Sequence, residues 1–485
     1  MSILYRSAFE IALDIKAGKL SSRDVLEFFL DRIEKYNAAI NAVVVLDVVR
    51  ARQRADAADA AVARGDDWGP LHGVPVTIKD AFCTAGLVTT GGIPECRDNI
   101  PEQNALAVQS YIDAGAIIFG KTNVPFMSAD LQTFNEIYGT TNNPWNTART
   151  CGGSSGGAAA ALAAGLTPLE LGSDIGGSIR TPSHFNGVFG HKSSYGIVPH
   201  RGHLPPGESV LSESDLSVVG PLGLCVDDLE RALDIIAAPL PEDAPGWRLH
   251  LPPVTFDKAN SLRVAIWADD AFCPVDKSIA SCVEAVADTL RGLGAHVDAH
   301  ARPSIDPSQN KQNFTLLLMS VMGAGMPDEV FAAASEMVAA ADKADMSEPL
   351  IQMRGVALSH RDWLRQNERR LKTREAWSEF FKQFDVLICP CAAVAAFPHD
   401  HEPQLTERKL LVNGESRPYT DMLAWAGLSL NAYLPATVVP AGLSAEGLPV
   451  GVQVVGPYLG DRTTLAVARL LEQHHRGFHA PTGYQ

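Results

Sequence analysis

Two clusters of glycine and serine are the chemically suggestive features of this 485-residue chain. One is Cys151-Gly-Gly-Ser-Ser-Gly-Gly157, running straight into an alanine-rich segment; the other is Gly172-Ser-Asp-Ile-Gly-Gly-Ser-Ile-Arg180. Glycine admits backbone angles closed to other residues and leaves its N–H bare. A serine set among glycines can therefore have a row of aimable donors beside it, which a developing oxyanion needs. Ile175, Gly176, Gly177 and Ser178 could supply that row. A serine hydroxyl is a weak nucleophile at neutral pH and needs a base. The motif Gly69-Pro-Leu-His-Gly-Val-Pro-Val-Thr-Ile-Lys79-Asp80 offers one, because Lys79 ends an apolar run. Burial there favours the neutral amine, which accepts a proton. The plain alternative is a lysine paired with neighbouring Asp80.

These residues need elements to hold them. The first 36 residues read as two helices, the first ended by Gly18 and the second capped by Ser21, with Asp24 at the reciprocal position. Ala42–Leu46 is a β-branched run and reads as a strand, and Val48–Arg64 as a helix. Val74–Ile78 alternates into a strand. Ala116–Phe119 is a short strand after a helix at about 104–114. Ala158–Ala164 reads as a small-residue helix, Leu169–Leu171 as a strand, Val226–Ala237 as a helix and Leu262–Trp267 as a strand. Strands alternating with helices argue an α/β sheet packed between helix layers. Residues 238–260, with five prolines, are the most linker-like stretch and read as an excursion over the surface. Residues 305–380 read as largely helical, and their six methionines as flexible core filler, with the lining of an adaptable cavity as the alternative.

The motifs resemble the amidase signature family when taken in order. They are G-P-L-x-G-V-P-x-x-x-K-D at 69–80, G-K-T-N-V-P at 120–125, N-P-W-N at 143–146, G-G-S-S-G-G at 152–157 and D-I-G-G-S-I-R-x-P at 174–182. The runs 434–442 and 447–456 are similar to that family's closing strands. The resemblance implies a single domain over 1–485: a central mixed β-sheet sandwiched between layers of α-helices, with a helical substrate-pocket region at about 305–380. It also implies that Ser178 is the nucleophile, that Ser154 bridges through a cis peptide bond, and that Lys79 is the base, with the 175–178 amides as oxyanion hole. Asp174 and Arg180 are then supports of the turn. The loop 126–130 lines substrate in relatives, so Phe126, Met127 and Ser128 are candidate substrate contacts. The chain departs from the family at Phe126, where an acidic residue is common, at Cys151, and at Gly190-His-Lys-Ser-Ser-Tyr-Gly-Ile.

The implied activity is hydrolysis of a carboxylic amide, small and carrying aryl or other apolar parts. Esters and carbamates lie within reach of the same chemistry. The alternative is the glutaminase A-type subunit of a tRNA-dependent amidotransferase, although the path 196–221 is longer than such subunits usually show. The resemblance calls for no metal or organic cofactor, and dimers are frequent among relatives, which leaves a homodimer open.

Three other matches carry less. Gly115-Ala-Ile-Ile-Phe-Gly-Lys-Thr122 satisfies the P-loop pattern, but its middle reads as a strand rather than a loop cradling phosphate. Gly152-Gly-Ser-Ser-Gly156 fits the nucleophile elbow, which would leave the Ser178 cluster unexplained. Ser308-Gln-Asn-Lys311 is a chance S-x-x-K in a polar setting. Cys389, Cys391, His399 and His401 lack the usual zinc spacing, and the cysteines read as structural. A net charge of −16 disfavours nucleic acid and anionic lipid as partners. Eight scattered cysteines, no apolar leader run and no spanning stretch fit reduced thiols in a cytoplasm.

Overall fold

A computed structural model describes residues 3–485 apart from 206, 208 and 403. An eight-stranded mixed sheet, flanked by helices, forms its centre. The order across it is His296–Asp298, Arg263–Ile266, Val386–Pro390, Pro449–Val455, Ala436–Leu443, Phe189–Lys192, Val218–Gly223 and Leu169–Asp174. The three strands at the first edge run parallel to one another, and all the remaining pairs are antiparallel. A separate three-stranded sheet holds Ile117–Thr122 between Val43–Leu46, which is antiparallel to it, and Pro75–Lys79, which is parallel. The central mixed sheet between helices is as expected, and the three-stranded sheet lies beside it. Thr77 joins them: its N–H donates to Thr167 Oγ1 (3.1 Å), and its hydroxyl shares a short hydrogen bond with Glu170.

The local elements follow from their sequences. Ser21 caps the helix Ser22–Ile40 by accepting from Asp24 N–H (3.0 Å), and Asn41 ends that helix in the left-handed conformation. The helix Val48–Arg64 ends at Gly65, also left-handed. Pro75–Lys79 and Leu169–Asp174 are buried on both faces, so the alternation read in Val74–Ile78 separates no core face from a solvent face. The helix Gly156–Ala163 is wholly buried, and its small side chains let it pack tightly. A Cβ at Gly157 would sit 2.3 Å from the Asn123 nitrogen, so only glycine lets the two segments touch.

Residues 305–380 form four helices, Pro307–Gly323, Asp328–Ala340, Glu348–Val356 and His360–Phe380. Their methionines correct the core-filler expectation, because none of Met319, Met322, Met326, Met337, Met346 and Met353 is fully buried. Met337 and Met346 are 53% and 49% exposed. The cause is local: Asp328–Ala340 buries only Ala334, so it has almost no core to fill. Residues 239–258 form neither helix nor strand and are mostly exposed. Among the described residues no helix is long and apolar enough to cross a membrane.

Candidate active site

Three segments far apart in sequence meet at the junction of the two sheets. Pro75–Lys79 delivers Lys79 at its end, the 152–155 turn delivers Ser154, and the turn after Leu169–Asp174 delivers Ser178. Lys79 Nζ lies 2.7 Å from Ser154 Oγ and 2.9 Å from Ser173 Oγ. The Gly153–Ser154 peptide bond is cis. Ser155 N–H donates to the Ser178 carbonyl (3.0 Å), tying the two serine turns together. No hydrogen bond joins the Ser154 and Ser178 hydroxyls among the described residues. Contacts of this kind commonly tighten only around a substrate.

The lysine is fully buried. Burial pushes its ammonium from an ordinary 10.5 down to about 7, and the Asp174 and Glu170 carboxyls offset this only in part. The two carboxyls differ in charge. Burial raises Glu170 to about 8 against its hydrogen bond from Thr77, so it is largely protonated. Asp174 feels the same burial, but the Arg180 guanidinium outweighs it and holds the carboxyl at about 2. Asp80 is not the partner either. Its carboxylate turns to Thr90, accepting from the hydroxyl (2.5 Å) and the N–H (3.2 Å).

Asp174 fastens the turn that carries Ser178. It accepts from the N–H groups of Gly177 (2.8 Å), Ile179 (3.1 Å) and Arg180 (3.4 Å), and from Arg180 Nε and Nη2, both at 3.0 Å. Arg180 is fully buried and also donates to the Ala426 carbonyl, Ser429 Oγ and Gln453 Oε1. Of the four candidate oxyanion amides, Gly177 N–H is thus already donated to Asp174. Gly177 holds φ +109° where a Cβ would also approach Thr181 Oγ1 to 2.9 Å.

Ser154, Ser173 and Ser178 open onto a cavity of about 530 Å³. Met127, Ile175, Val210, Val321 and Met322 give it an apolar wall, and Ser128, His200, His203 and Glu213 a polar one. Ser128 Oγ and Glu213 Oε1 are buried without a hydrogen-bond partner among the described residues. Met127 and Ser128 hold φ of +53° and +54°, a region that non-glycine residues seldom occupy. Of the three candidate contacts in this loop, Met127 and Ser128 line the cavity. Phe126 is 51% exposed and lines a neighbouring hollow with Pro94, Pro125 and Phe134.

The other matches resolve physically. Lys121 and Thr122 lie within the strand Ile117–Thr122, and Lys121 Nζ donates to the Phe82 carbonyl, Thr84 Oγ1 and Thr89 Oγ1, so no phosphate cradle exists. Lys311 pairs with Asp421 (2.8 Å). Cys389 and Cys391 are buried at and just after the strand Val386–Pro390. Among the described residues no cluster of three His, Cys, Asp or Glu could hold a metal ion.

Ser173, His200 and His203 were not legible as site residues. Ser173 sits inside the second glycine–serine motif, so its position was available. The histidines lie on the long 196–221 path, and only the fold brings them against residues 80–83, where Cys83 N–H donates to the Gly202 carbonyl (2.8 Å).

The Amidase family model matches residues 24–465. An indoleacetamide hydrolase of Bradyrhizobium diazoefficiens is 31% identical over 96% of this chain and 86% of its own length. The A-type subunit of a glutamyl-tRNA(Gln) amidotransferase from a Synechococcus species is 32% identical, covering 95% and 94%. The crystal structure of a bacterial aryl acylamidase of the amidase signature family superposes with a TM-score of 0.81 at 26% identity, over 97% of this chain and 96% of that one.

Proposed function

The chain belongs to the amidase family and is an amide C–N hydrolase, and we propose that it cleaves small amides with aryl or other apolar parts through an acyl-enzyme on Ser178. Neutral Lys79 takes a proton through Ser154 as Ser178 attacks the carbonyl, and the Ile175, Gly176 and Ser178 amides receive the oxyanion. Ser154 returns the proton to the departing nitrogen, which an amide's poor leaving group requires. Water then cleaves the ester by the reverse relay. The observation that carries this reading is the fully buried Lys79 amine 2.7 Å from Ser154 Oγ, with no ion-pair partner among the described residues.

The substrate class rests on the cavity. Its apolar wall suits an aryl or alkyl group, and the unpartnered Ser128 Oγ and Glu213 Oε1 suit N–H donors or a carbonyl on that group. The indoleacetamide hydrolase and the aryl acylamidase, as their names state, act on amides of that kind. Carbamates present the same carbonyl and belong to the proposal.

The test is product release from a primary arylacetamide, an anilide, the matching aryl carbamate and glutamine, measured for wild type, Ser178→Ala and Ser128→Ala. Turnover of the aryl substrates by wild type only, with Ser128→Ala raising KM more than it lowers kcat, is the expected result. Reaction with glutamine alone would overturn the proposal in favour of an amidotransferase component, the role the Synechococcus relative carries in its name.

A further inference from the structure

We infer that His203, acting through Ser173, is a positioning residue that aims the lone pair of the Lys79 amine at Ser154. The inference rests on the proposed roles of Lys79 and Ser154 and extends them to two residues outside the triad.

The case is one of hydrogen-bond direction. His203 Nδ1 lies 2.9 Å from the Pro205 carbonyl, which can only accept, so Nδ1 carries the proton. The imidazole is neutral: burial holds it well below 6.5, and the nearby His200, Lys79 and Lys121 act in the same direction. Nε2 is therefore a bare lone pair. Ser173 Oγ is 2.8 Å from it and must donate its one proton there. Ser173 then has only lone pairs to offer Lys79 Nζ, at 2.9 Å, so the amine donates to Ser173. A neutral amine has two protons and one lone pair. With Ser173 fixed as an acceptor, that lone pair is left for the Ser154 hydroxyl at 2.7 Å. Were Ser173 free to rotate, its own proton could occupy the lone pair, and the base would be blocked by an unreactive hydroxyl.

The surroundings hold this arrangement. The 200–205 segment docks on the chain just beyond Lys79, with Leu204 N–H donating to the Ala81 carbonyl (2.6 Å). His200 stacks on the His203 ring at 4.4 Å and is itself neutral, and Phe82 meets the ring edge-on at 5.1 Å. The groups around Lys79 are Ser154, Ser173, the protonated Glu170, the Arg180-paired Asp174 and the neutral His200 and His203. None of them can replace Ser173 as a fixed acceptor.

The test is a double-mutant cycle on the full-length enzyme with an anilide that wild type hydrolyses, following kcat and the pH of its acid limb. His203→Leu should lower kcat by at least about tenfold, less than the about 100-fold lower end for losing general-base catalysis outright, and move the limb to lower pH, because the Ser173 proton then stabilises the neutral amine. Ser173→Ala should cost a similar factor, and Ser173→Ala/His203→Leu no more than Ser173→Ala alone. His203→Gln, which can place a carbonyl oxygen near the Nε2 position, should recover most of the rate. Should His203→Leu fail to fold, His203→Asn serves instead, since it is too short to reach Ser173 and should behave like the leucine variant. Multiplying losses, or a glutamine variant as impaired as leucine, would overturn the inference. Turnover that survives Ser178→Ala would instead overturn the proposed function, whatever the His203 variants do.

Discussion

Below neutral pH the enzyme should lose its acylation rate tenfold for each pH unit, because only the neutral Lys79 amine can take a proton. The magnitude follows from burial. An amine titrating at about 7 is about half neutral at pH 7. One titrating near 10.5 would be neutral about once in 3,000 molecules, a difference worth about 5 kcal/mol. Measuring kcat/KM for an uncharged anilide from pH 5.5 to 9 should give a single limb of unit slope with a midpoint near 7 and a plateau above it. His200, at about 4, and His203, well below 6.5, lie outside that window. Glu170 and Lys121, both at about 8, titrate inside it and would act at its upper end, and Lys192, at about 7, is the group that could mimic the midpoint. Its Nζ donates to the Ser193 carbonyl and touches neither catalytic hydroxyl, so Lys192→Met should keep the limb. A flat profile, a limb above pH 9, or a limb abolished by Lys192→Met would refute the assignment of Lys79 as base.

Lys79→Met should abolish turnover yet raise stability. The folded pKa lies below the unfolded one, so the unfolded chain binds more protons between about 7 and 10.5 and wild-type stability climbs with pH across that window. The variant should be about 1–3 kcal/mol more stable than wild type in urea at pH 7, after allowing for the lost hydrogen bonds, and its stability should lose that upward slope. Arg180→Met leaves Asp174 buried without its charge partner and should lower urea stability by about 3–5 kcal/mol; an unchanged unfolding midpoint would mean that the pair does not hold the turn. Phe126→Ala should leave anilide kinetics within about twofold, as a surface substitution, whereas Met127→Ala should raise KM for aryl substrates.

The sequence was most informative where one segment decides the outcome. Val48–Arg64 matches its expected bounds because an alanine-rich run meets a left-handed glycine cap at Gly65. Ile117–Thr122 was legible as a strand, although it runs three residues past Phe119, because Gly120, Lys121 and Thr122 continue the pairing with Pro75–Lys79. Pairing between distant segments was not legible, so runs such as Val43–Leu46 could not be assigned to the small sheet beside the central one. The glycine–serine motifs and the run ending in Lys79 pointed to Lys79 and Ser178, the family resemblance added Ser154, and the fold brings Lys79 within 2.7 Å of Ser154 and both serines to one cavity. They could not show that Gly177 N–H is donated to Asp174, since that depends on where one carboxylate turns. Ser173 and His203 were hidden for a similar reason. Their value lies in the direction of two hydrogen bonds, and spacing carries no such information.

The most direct measurement of the central claim is to quench the reaction of a slowly deacylated aryl ester or carbamate in acid and map the acyl group by peptide mass spectrometry. A stoichiometric adduct is expected on the peptide carrying Ser178, formed faster as pH rises through about 7 and absent in Ser178→Ala and Lys79→Met. An adduct on Ser154 or Ser173, or undiminished turnover without any adduct on Ser178, would contradict it.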